Sequence, residues 1–265
     1  SAARGKYVLL LNNDTKVVPD FLSKLVKRIE QDDSIGVIQP KIFLMDRPGY
    51  LDNAGSFLTR IGFLHHWGFG QKDGQEFNQE REIFSAKGAC MLIRREVVEK
   101  VGLFDDDFFS YFEESDFCWR VWLGGWRVLF YPKTHIYHKL GYTIRRLNVK
   151  ELNYHYYKNR ICSLIKNLDG INFILILIPH IFISEALFVL FLIRGQFKYA
   201  WMIKKAILWN LINLPKILGS RKGIQRQRRI SDRQLFKIVL LPINIGKFLG
   251  DFRRVEGDLK RTPTS

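Results

Sequence analysis

Residues 7–15 read Tyr-Val-Leu-Leu-Leu-Asn-Asn-Asp-Thr, an apolar run that ends in a polar cluster. A continuous apolar run of this length predicts a strand that is buried on both faces and leads into a loop. Pro19 and Asp20 then open a predicted helix, and residues 35–38 form a second apolar run that predicts another buried strand. The order strand, loop, helix, strand is typical of an α/β domain.

The pattern continues downstream of a long irregular stretch. Residues 46–82 are rich in glycine and loop residues, and long irregular stretches in compact domains are usually functional or mobile. A strand is predicted at 89–93, and Ser115-Asp116 is predicted to cap a helix. Pro132 is predicted to turn the chain after a further short strand.

Charge divides the chain into two unlike parts. Residues 1–193 hold 25 basic and 22 acidic side chains, whereas residues 194–265 hold 17 basic and 4 acidic side chains, a net charge of +13. With 47% hydrophobic residues overall, a disordered chain is excluded. The basic tail requires an anionic partner, for which lipid headgroups and nucleic acid are the two common candidates.

The apolar segments of the tail favour lipid over nucleic acid. Residues 171–193 include 18 apolar side chains and are long enough to cross a bilayer, and residues 197–214 have the spacing of a basic amphipathic helix. Because both flanks of the first segment are basic, both are expected on the cytoplasmic side. We therefore expect a re-entrant or in-plane hairpin, bent at Pro179-His180, rather than a single span. The alternatives, a buried helix of a soluble protein and a nucleic-acid-binding tail, are less favoured, so anionic membrane lipids are the expected partner and nucleic acid is not.

Asn12-Asn13-Asp14 is the first candidate functional cluster. It follows a predicted strand, and ligand sites of α/β sheets lie at the carboxyl ends of strands. A carboxylate there can hold a divalent cation that binds phosphate oxygens. Taken alone, a turn that caps the next helix explains the cluster better.

The second candidate cluster is a set of three carboxylates, Glu113, Glu114 and Asp116, among aromatic residues. Such a setting favours a raised pKa, which a general base needs, although acidic residues are also common in the first turn of any helix. His138, after a predicted strand, is a third candidate. A single histidine is more often structural, and only an association with Asp14 would indicate a ligand.

Five motifs occur in one order over residues 3–168. They are Leu-Asn-Asn-Asp-Thr at 11–15, Gly-Ala-Cys-Met-Leu-Ile-Arg-Arg at 88–95, Val-Gly-Leu-Phe-Asp at 101–105, Phe-Phe-Ser-Tyr-Phe-Glu-Glu-Ser-Asp-Phe-Cys-Trp-Arg at 108–120 and His-x-x-Gly-x-Thr at 138–143. Their order and spacing resemble glycosyltransferase family 2, particularly its bacterial rhamnosyltransferase-like members. A joint match of five motifs is far more specific than any one of them.

The resemblance implies an α/β fold of the GT-A class and a metal site. Asn12-Asn13-Asp14 stands where the family has Asp-x-Asp, with asparagine in place of the first aspartate. Asp14 would bind Mg²⁺ or Mn²⁺ that bridges the donor diphosphate, with His138 as a second metal ligand. Asn12 and Asn13 would lie beside the nucleotide sugar.

The resemblance also implies the group that activates the acceptor. Glu114 occupies the position of the catalytic base, usually aspartate, which would deprotonate the acceptor hydroxyl for inverting attack on the anomeric carbon. Gly88 and Ala89 would line the sugar and acceptor cleft, where small residues permit close approach. From the same motif as Glu114, three further residues are expected to contact donor or acceptor: Glu113, Asp116 and Arg120.

The expected organisation has two parts. Residues 1–168 would be the C-terminal part of a GT-A domain that lacks the N-terminal nucleotide-binding βαβ units, either truncated or encoded elsewhere. Residues 169–265 would be a basic, membrane-associated helical tail. We expect a metal-dependent inverting glycosyltransferase on the cytoplasmic face of the cell membrane. It would act in cell-envelope polysaccharide biosynthesis on a saccharide or polyprenyl-linked acceptor, with rhamnose among the candidate sugars. The alternative is a non-catalytic membrane-bound scaffold that retains the fold.

Overall fold

The structure, a computed structural model, describes residues 4–139 and 149–241. Within them the strands are β1 (Tyr7–Leu11), β2 (Thr15–Val17), β3 (Ile35–Leu44), β4 (Leu51–Asn53), β5 (Ser56–Thr59), β6 (Leu64–His66), β7 (Arg81–Glu82), β8 (Cys90–Arg94), β9 (Arg127–His138) and β10 (Leu240–Leu241). The helices are α1 (Phe21–Glu30), α2 (Arg95–Val101), α3 (Glu113–Leu123), α4 (Val149–Asn167), α5 (Gly170–Ile193), α6 (Phe197–Ile212), α7 (Leu214–Gln227) and α8 (Asp232–Val239). Gly141 and Thr143 of the fifth motif lie outside the described residues.

A mixed sheet forms the centre of the fold and confirms the predicted α/β class. Its strands run in the order β1-β8-β3-β9-β2, with β4 paired to β3 and β7 to β9. β3 and β9 are parallel, whereas β8 is antiparallel to both of its neighbours. A small second sheet has the order β10-β5-β6.

Both faces of the central sheet are buried because side chains alternate across each strand. In β3, Ile38 packs with Leu25 and Ile29 of α1, whereas Val37 packs into the opposite core with Phe117 of α3. This explains why the central strands read as continuous apolar runs rather than as alternating ones. The long irregular stretch 46–82 contributes β4 to β6 and a 3₁₀ turn at Gln75–Phe77.

Three local predictions were wrong. β1 is half-buried rather than buried on both faces, because β8 is its single partner among the described strands, and Leu11 is 41% exposed. α3 begins at Glu113, so Ser115 lies inside the helix instead of capping it. β9 continues through Pro132, where its pairing with β3 shifts register.

The helices after residue 169 pack against the sheet domain. α5 is one continuous helix that contains Pro179, and α6 packs back against it after a turn at Gly195, so the predicted bend at Pro179-His180 is wrong. The main core contains side chains from α5, α7 and α8, including Ile176, Ile217 and Leu235. β10 extends the small sheet through β5. The basic tail and the sheet therefore share one hydrophobic core.

Candidate active site

The pairing of β2 with β9 brings Asp14 and His138 together, although about 124 residues separate them in sequence. Thr15 pairs with His138 across the two strands, and the backbone N–H of Lys139 donates to the carbonyl of Asp14. The Nε2 atom of His138 lies 3.3 Å from Oδ1 of Asp14. The association that sequence alone left open is therefore present.

A buried carboxylate orients the imidazole from its other side. Nδ1 of His138 lies 2.8 Å from Oδ2 of Asp52, and the ammonium of Lys87 lies 2.6 Å from the other oxygen of Asp52. Burial alone would raise the pKa of Asp52, but Lys87 and His138 together hold that pKa below its ordinary value. An ionised Asp52 accepts a hydrogen bond from Nδ1–H of His138, and in that tautomer the Nε2 lone pair is directed at Asp14.

This geometry fits a divalent cation. Oδ1 of Asp14 is buried and has no hydrogen-bond partner. With Nδ1 donating to Asp52, two electron-pair donors face each other at 3.3 Å, an arrangement that a cation between or beside them stabilises. Across residues 4–139 and 149–241, no cluster of three or more His, Cys, Asp or Glu side chains is arranged to hold a metal. The protein thus offers two ligands here, and Mg²⁺ typically takes its remaining ones from water and substrate phosphates.

The Glu113-Glu114 pair follows a strained turn. Tyr111 (φ 65°) and Phe112 (φ 71°) are the non-glycine residues with positive φ in the described part of the chain. Each such conformation costs about 1–3 kcal/mol, and strain of this kind concentrates at functional sites. The turn starts α3 directly at the two glutamates, which are partly buried.

Both glutamates are poorly solvated. Burial raises the pKa of Glu114, and burial together with repulsion from Glu114 raises the pKa of Glu113 to about 8. One carboxyl oxygen of each is buried without a hydrogen-bond partner. The helix N-terminus and the amide of Gly88 stabilise the charged form of Glu114 only in part. Perturbed carboxyl groups of this kind are typical of catalytic sites.

Residues 87–89 connect the two clusters. Lys87 binds Asp52 of the first cluster, and Gly88 contacts Glu114 of the second. The backbone N–H of Asn12 donates to the carbonyl of Ala89 over 3.0 Å. A Cβ atom built at Gly88 would meet only the Cβ of Glu114, at 3.9 Å, so the space beside Gly88 is open.

Most of the predicted site residues therefore lie on connected segments, but the side chains of Asp116 and Arg120 bond other parts of the fold. The carboxylate of Asp116 is fully buried and bonds Ser163, Asn167, Lys166 and Arg120. Together these partners lower the pKa of Asp116 to about 2, against the opposing effect of burial. Arg120 also donates to backbone carbonyls at the end of α2, so both side chains join elements of the fold. Asn13 is exposed on the loop that carries Asp14.

Sequence reasoning missed Asp52 and Lys87. Asp52 lies in the long irregular stretch whose length indicates function, but nothing in its local pattern separates it from the other acidic residues there. Lys87 directly precedes the Gly88 motif, and a lysine at that position reads as an ordinary loop residue. Only the contact with His138, 86 positions away from Asp52, reveals the role of both.

One family model and several known proteins are similar in sequence to parts of this chain. The model described as "Glycosyl transferase family group 2" matches residues 7–212. The low-salt glycan biosynthesis hexosyltransferase Agl10 of Haloferax volcanii is 31% identical over 119 residues, 43% of this chain and 36% of that protein. The O-antigen biosynthesis protein RfbC of Myxococcus xanthus is 28% identical over 159 residues, 57% of this chain and 12% of that protein. An N-acetylglucosaminyl-diphospho-decaprenol L-rhamnosyltransferase of Mycobacterium tuberculosis is 30% identical over 77 residues, 29% of this chain and 25% of that protein.

The family match covers more than half of the chain and confirms the family and fold class that the motifs predicted. The matched segments span about a third or less of the length of these curated relatives.

The geometry predicts that Asp52 controls metal affinity through His138. Asp52→Asn removes the acceptor that fixes the imidazole, so we expect Mn²⁺ affinity, measured by the electron paramagnetic resonance of free Mn²⁺ in the presence of a nucleoside diphosphate, to fall about 10- to 100-fold. Asp73→Asn is the matched control, because Asp73 also forms an ion pair with a lysine, Lys41, and has no contact with His138 among those found in the described residues. Unchanged affinity in both Asp52→Asn and Asp14→Ala would rule out a metal at this position.

Proposed function

We propose that this chain, which belongs to glycosyl transferase family group 2, transfers a sugar from a nucleotide-sugar donor to a saccharide or polyprenyl-linked acceptor. The observation that carries the proposal is the connection through residues 87–89. It links the proposed cation ligands, Asp14 and His138, through Asp52 and Lys87 to the proposed base, Glu114, and this link supports the proposal. Sugar transfer requires these two kinds of group beside each other.

The first cluster is suited to the donor. Asp14 and His138 would hold Mg²⁺ or Mn²⁺, which neutralises diphosphate charge as the leaving group departs. Asp52 and Lys87 fix the orientation of His138 from the side opposite to the donor. The exposed side chains of Asn12 and Asn13, on the loop that leads to Asp14, are available to contact the nucleotide or the sugar.

Glu114 is suited to the acceptor. A base must be ionised before reaction and must hold the proton well afterwards, and a raised pKa improves the second condition. The positive charge of Lys87 opposes this rise in the pKa of Glu114 and favours the ionised form that a base needs. Deprotonation of an acceptor hydroxyl by Glu114 produces direct attack on the anomeric carbon and inversion of its configuration. The repulsion between the two glutamates weakens once Glu114 takes up the proton.

The substrate class is inferred from the relatives. Agl10 is named for glycan biosynthesis and RfbC for O-antigen biosynthesis, and the mycobacterial relative is named for rhamnosyl transfer to a diphospho-decaprenol acceptor. We extend to this chain a role in cell-envelope polysaccharide biosynthesis, with a hexose or rhamnose as the sugar. A non-catalytic scaffold is the competing proposal and differs in one respect, since it would not bind a nucleotide sugar.

We further propose that the protein acts at the cytoplasmic face of the membrane. α5 is the helix in the described ranges with the length and mean hydropathy, 2.4, to cross a bilayer, and 17% of its most apolar window is buried. One stripe of α5, including Ile176, His180 and Ser184, packs against the protein, so a spanning arrangement would remove that packing. The opposite face is exposed, as is that of α6. Their exposed apolar side chains are Ile171, Ile174, Leu175, Ile178, Phe182, Val189, Leu192, Ile193, Phe197, Trp201, Leu208, Leu211 and Ile212.

The charge of the same region favours an anionic bilayer. Lysines at positions 198, 204 and 205 lie on α6 among its exposed apolar residues. Helices with this composition lie in the plane of the membrane, with the apolar side in the acyl region and the basic side chains at the headgroups. An in-plane arrangement keeps both ends of α5 on the side where nucleotide sugars are made.

The catalytic proposal predicts that Glu114→Gln abolishes most turnover. The amide keeps the size of the side chain but cannot accept the proton, so turnover should fall by roughly 10²–10⁴ while Mn²⁺-dependent nucleotide-sugar binding survives. The measurement is release of the nucleoside diphosphate from a panel of nucleotide sugars by membranes that contain the full-length protein. A wild type that neither binds nor turns over any nucleotide sugar supports the scaffold. A loss in Glu113→Gln with normal turnover in Glu114→Gln assigns the base to Glu113.

The membrane proposal predicts binding to anionic vesicles that high salt alone does not reverse, because apolar insertion persists when charges are screened. Phe182→Glu/Trp201→Glu places charges at side chains that are 70% and 60% exposed, and should weaken co-sedimentation with phosphatidylglycerol vesicles at least tenfold. Leu22→Glu on α1 is the control, since Leu22 is 40% exposed but lies on the sheet domain. At 1 M salt the screening length is about 3 Å, so a protein held by charge alone would be released. Release of the wild type at 1 M salt, or equal weakening by the Leu22→Glu control, would therefore contradict insertion.

A further inference from the structure

The turn that precedes the two glutamates has a backbone conformation that is unfavourable for its residues. Tyr111 and Phe112 adopt left-handed φ angles that side chains with a Cβ disfavour. Neither residue is glycine or asparagine, the types that enter this region most easily. Contacts from elsewhere in the fold must therefore hold the turn, and the position of the Glu113-Glu114 pair depends on those contacts.

A buried side chain of α4 supplies them. Nδ2 of Asn159 donates to the carbonyl of Ser110 over 2.9 Å and to the carbonyl of Tyr111 over 2.6 Å. Asn159 is fully buried, and its Oδ1 atom has no hydrogen-bond partner. The side chain thus forms both of its hydrogen bonds to the strained turn, as donor to two consecutive carbonyls.

The same helix holds α3 one turn further along. Ser163 and Asn167 donate to the carboxylate of Asp116, and Lys166 forms an ion pair with it. Asp116 lies two residues after Glu114, so side chains of α4 form hydrogen bonds both before and after the two glutamates. This arrangement fixes the start of α3 in position as well as in direction.

We propose that Asn159 is a positioning residue for the catalytic carboxylate: its amide holds the left-handed turn that keeps Glu113 and Glu114 partly buried, with Glu114 beside Gly88. The catalytic role of Glu114 rests on the function proposed above, whereas the role of Asn159 in holding the turn rests on its hydrogen bonds alone. Among the described residues, Lys87, Tyr111, Cys118 and the amide of Gly88 also interact with the pair. None of these groups holds the backbone of the turn.

A thermodynamic cycle tests the positioning without any substrate. Because the pKa of Glu113 is raised on folding, Glu113 makes the wild type lose stability as the pH rises from about 4.5 towards 8, and Glu113→Gln removes that contribution. Glu113→Gln should therefore lower the unfolding equilibrium constant at least tenfold more at pH 8 than at pH 5. In the Asn159→Ala background the turn relaxes and water reaches the carboxylates, so the same difference should fall to threefold or less.

Asn210→Ala is the matched control. Asn210 is also a buried asparagine of the helical region that donates to two carbonyls, those of Lys158 and Ala206, and has an unpartnered Oδ1. It does not touch the turn, so in its background the difference between pH 5 and pH 8 should stay tenfold. An unchanged difference in Asn159→Ala, or an equal loss in Asn210→Ala, would overturn the proposal.

Two further measurements complete the test. If Asn159→Ala does not fold, Tyr111→Gly/Asn159→Ala replaces it, because glycine adopts the left-handed conformation without strain, and the double variant should regain stability. No recovery would overturn the proposal. On a nucleotide sugar that the wild type turns over, Asn159→Ala should lower kcat at least tenfold with little change in KM, and Asn210→Ala should not. Absence of wild-type turnover would count against the proposed function alone, since the stability cycle still decides the role of Asn159.

Discussion

The short segment 87–89 is the constraint on which the site depends, because it joins two groups of buried charge that the chain would otherwise hold apart. On one side Lys87 neutralises Asp52, which orients His138 towards Asp14. On the other side Gly88 contacts Glu114. The segment enters β8, whose pairing with β1 and β3 places it at the ends of the central strands. Sheet register thus sets the distance between the two parts of the site.

The carboxylates on α3 have opposite effects on the stability of the native state. Asp116 has four hydrogen-bonding partners and a pKa lowered to about 2, so its charge stabilises the native state at neutral pH. Two and three residues earlier, Glu114 and Glu113 have unpartnered oxygens and raised pKa values, so their charge destabilises it. The two environments lie within one turn of a helix. Asp116 therefore stabilises the fold, whereas Glu114 has the perturbed environment that is typical of a catalytic carboxylate.

The sequence predicts the central strands well because both of their faces are buried, and the order of its motifs predicts the association of Asp14 with His138 that the structure contains. It does not predict contacts that depend on tertiary structure. Asp52 and Lys87 have no local pattern, and Asn159 sits in a helix where a buried asparagine reads as an ordinary residue. The bend expected at Pro179 is absent because proline within a helix removes one hydrogen bond, and packing of α5 against α4 and α6 can compensate for that loss. Asp116 and Arg120 share the motif of Glu114, but helical periodicity turns them towards α4 and α2.

The central proposal is that a cation held by Asp14 and His138 would lie close to Gly88-Ala89, and paramagnetic broadening by Mn²⁺ tests it most directly. In protein labelled at alanine methyl groups, Mn²⁺ added with a nucleoside diphosphate should broaden the resonance of Ala89, whose carbonyl bonds Asn12 two residues before Asp14. The resonance of Ala206, buried in the separate core between α4 and α6, should stay sharp. Diamagnetic Mg²⁺ should leave both sharp. Two results would contradict a metal site beside Gly88-Ala89: broadening of Ala206 without broadening of Ala89, and no broadening of either resonance at saturating Mn²⁺.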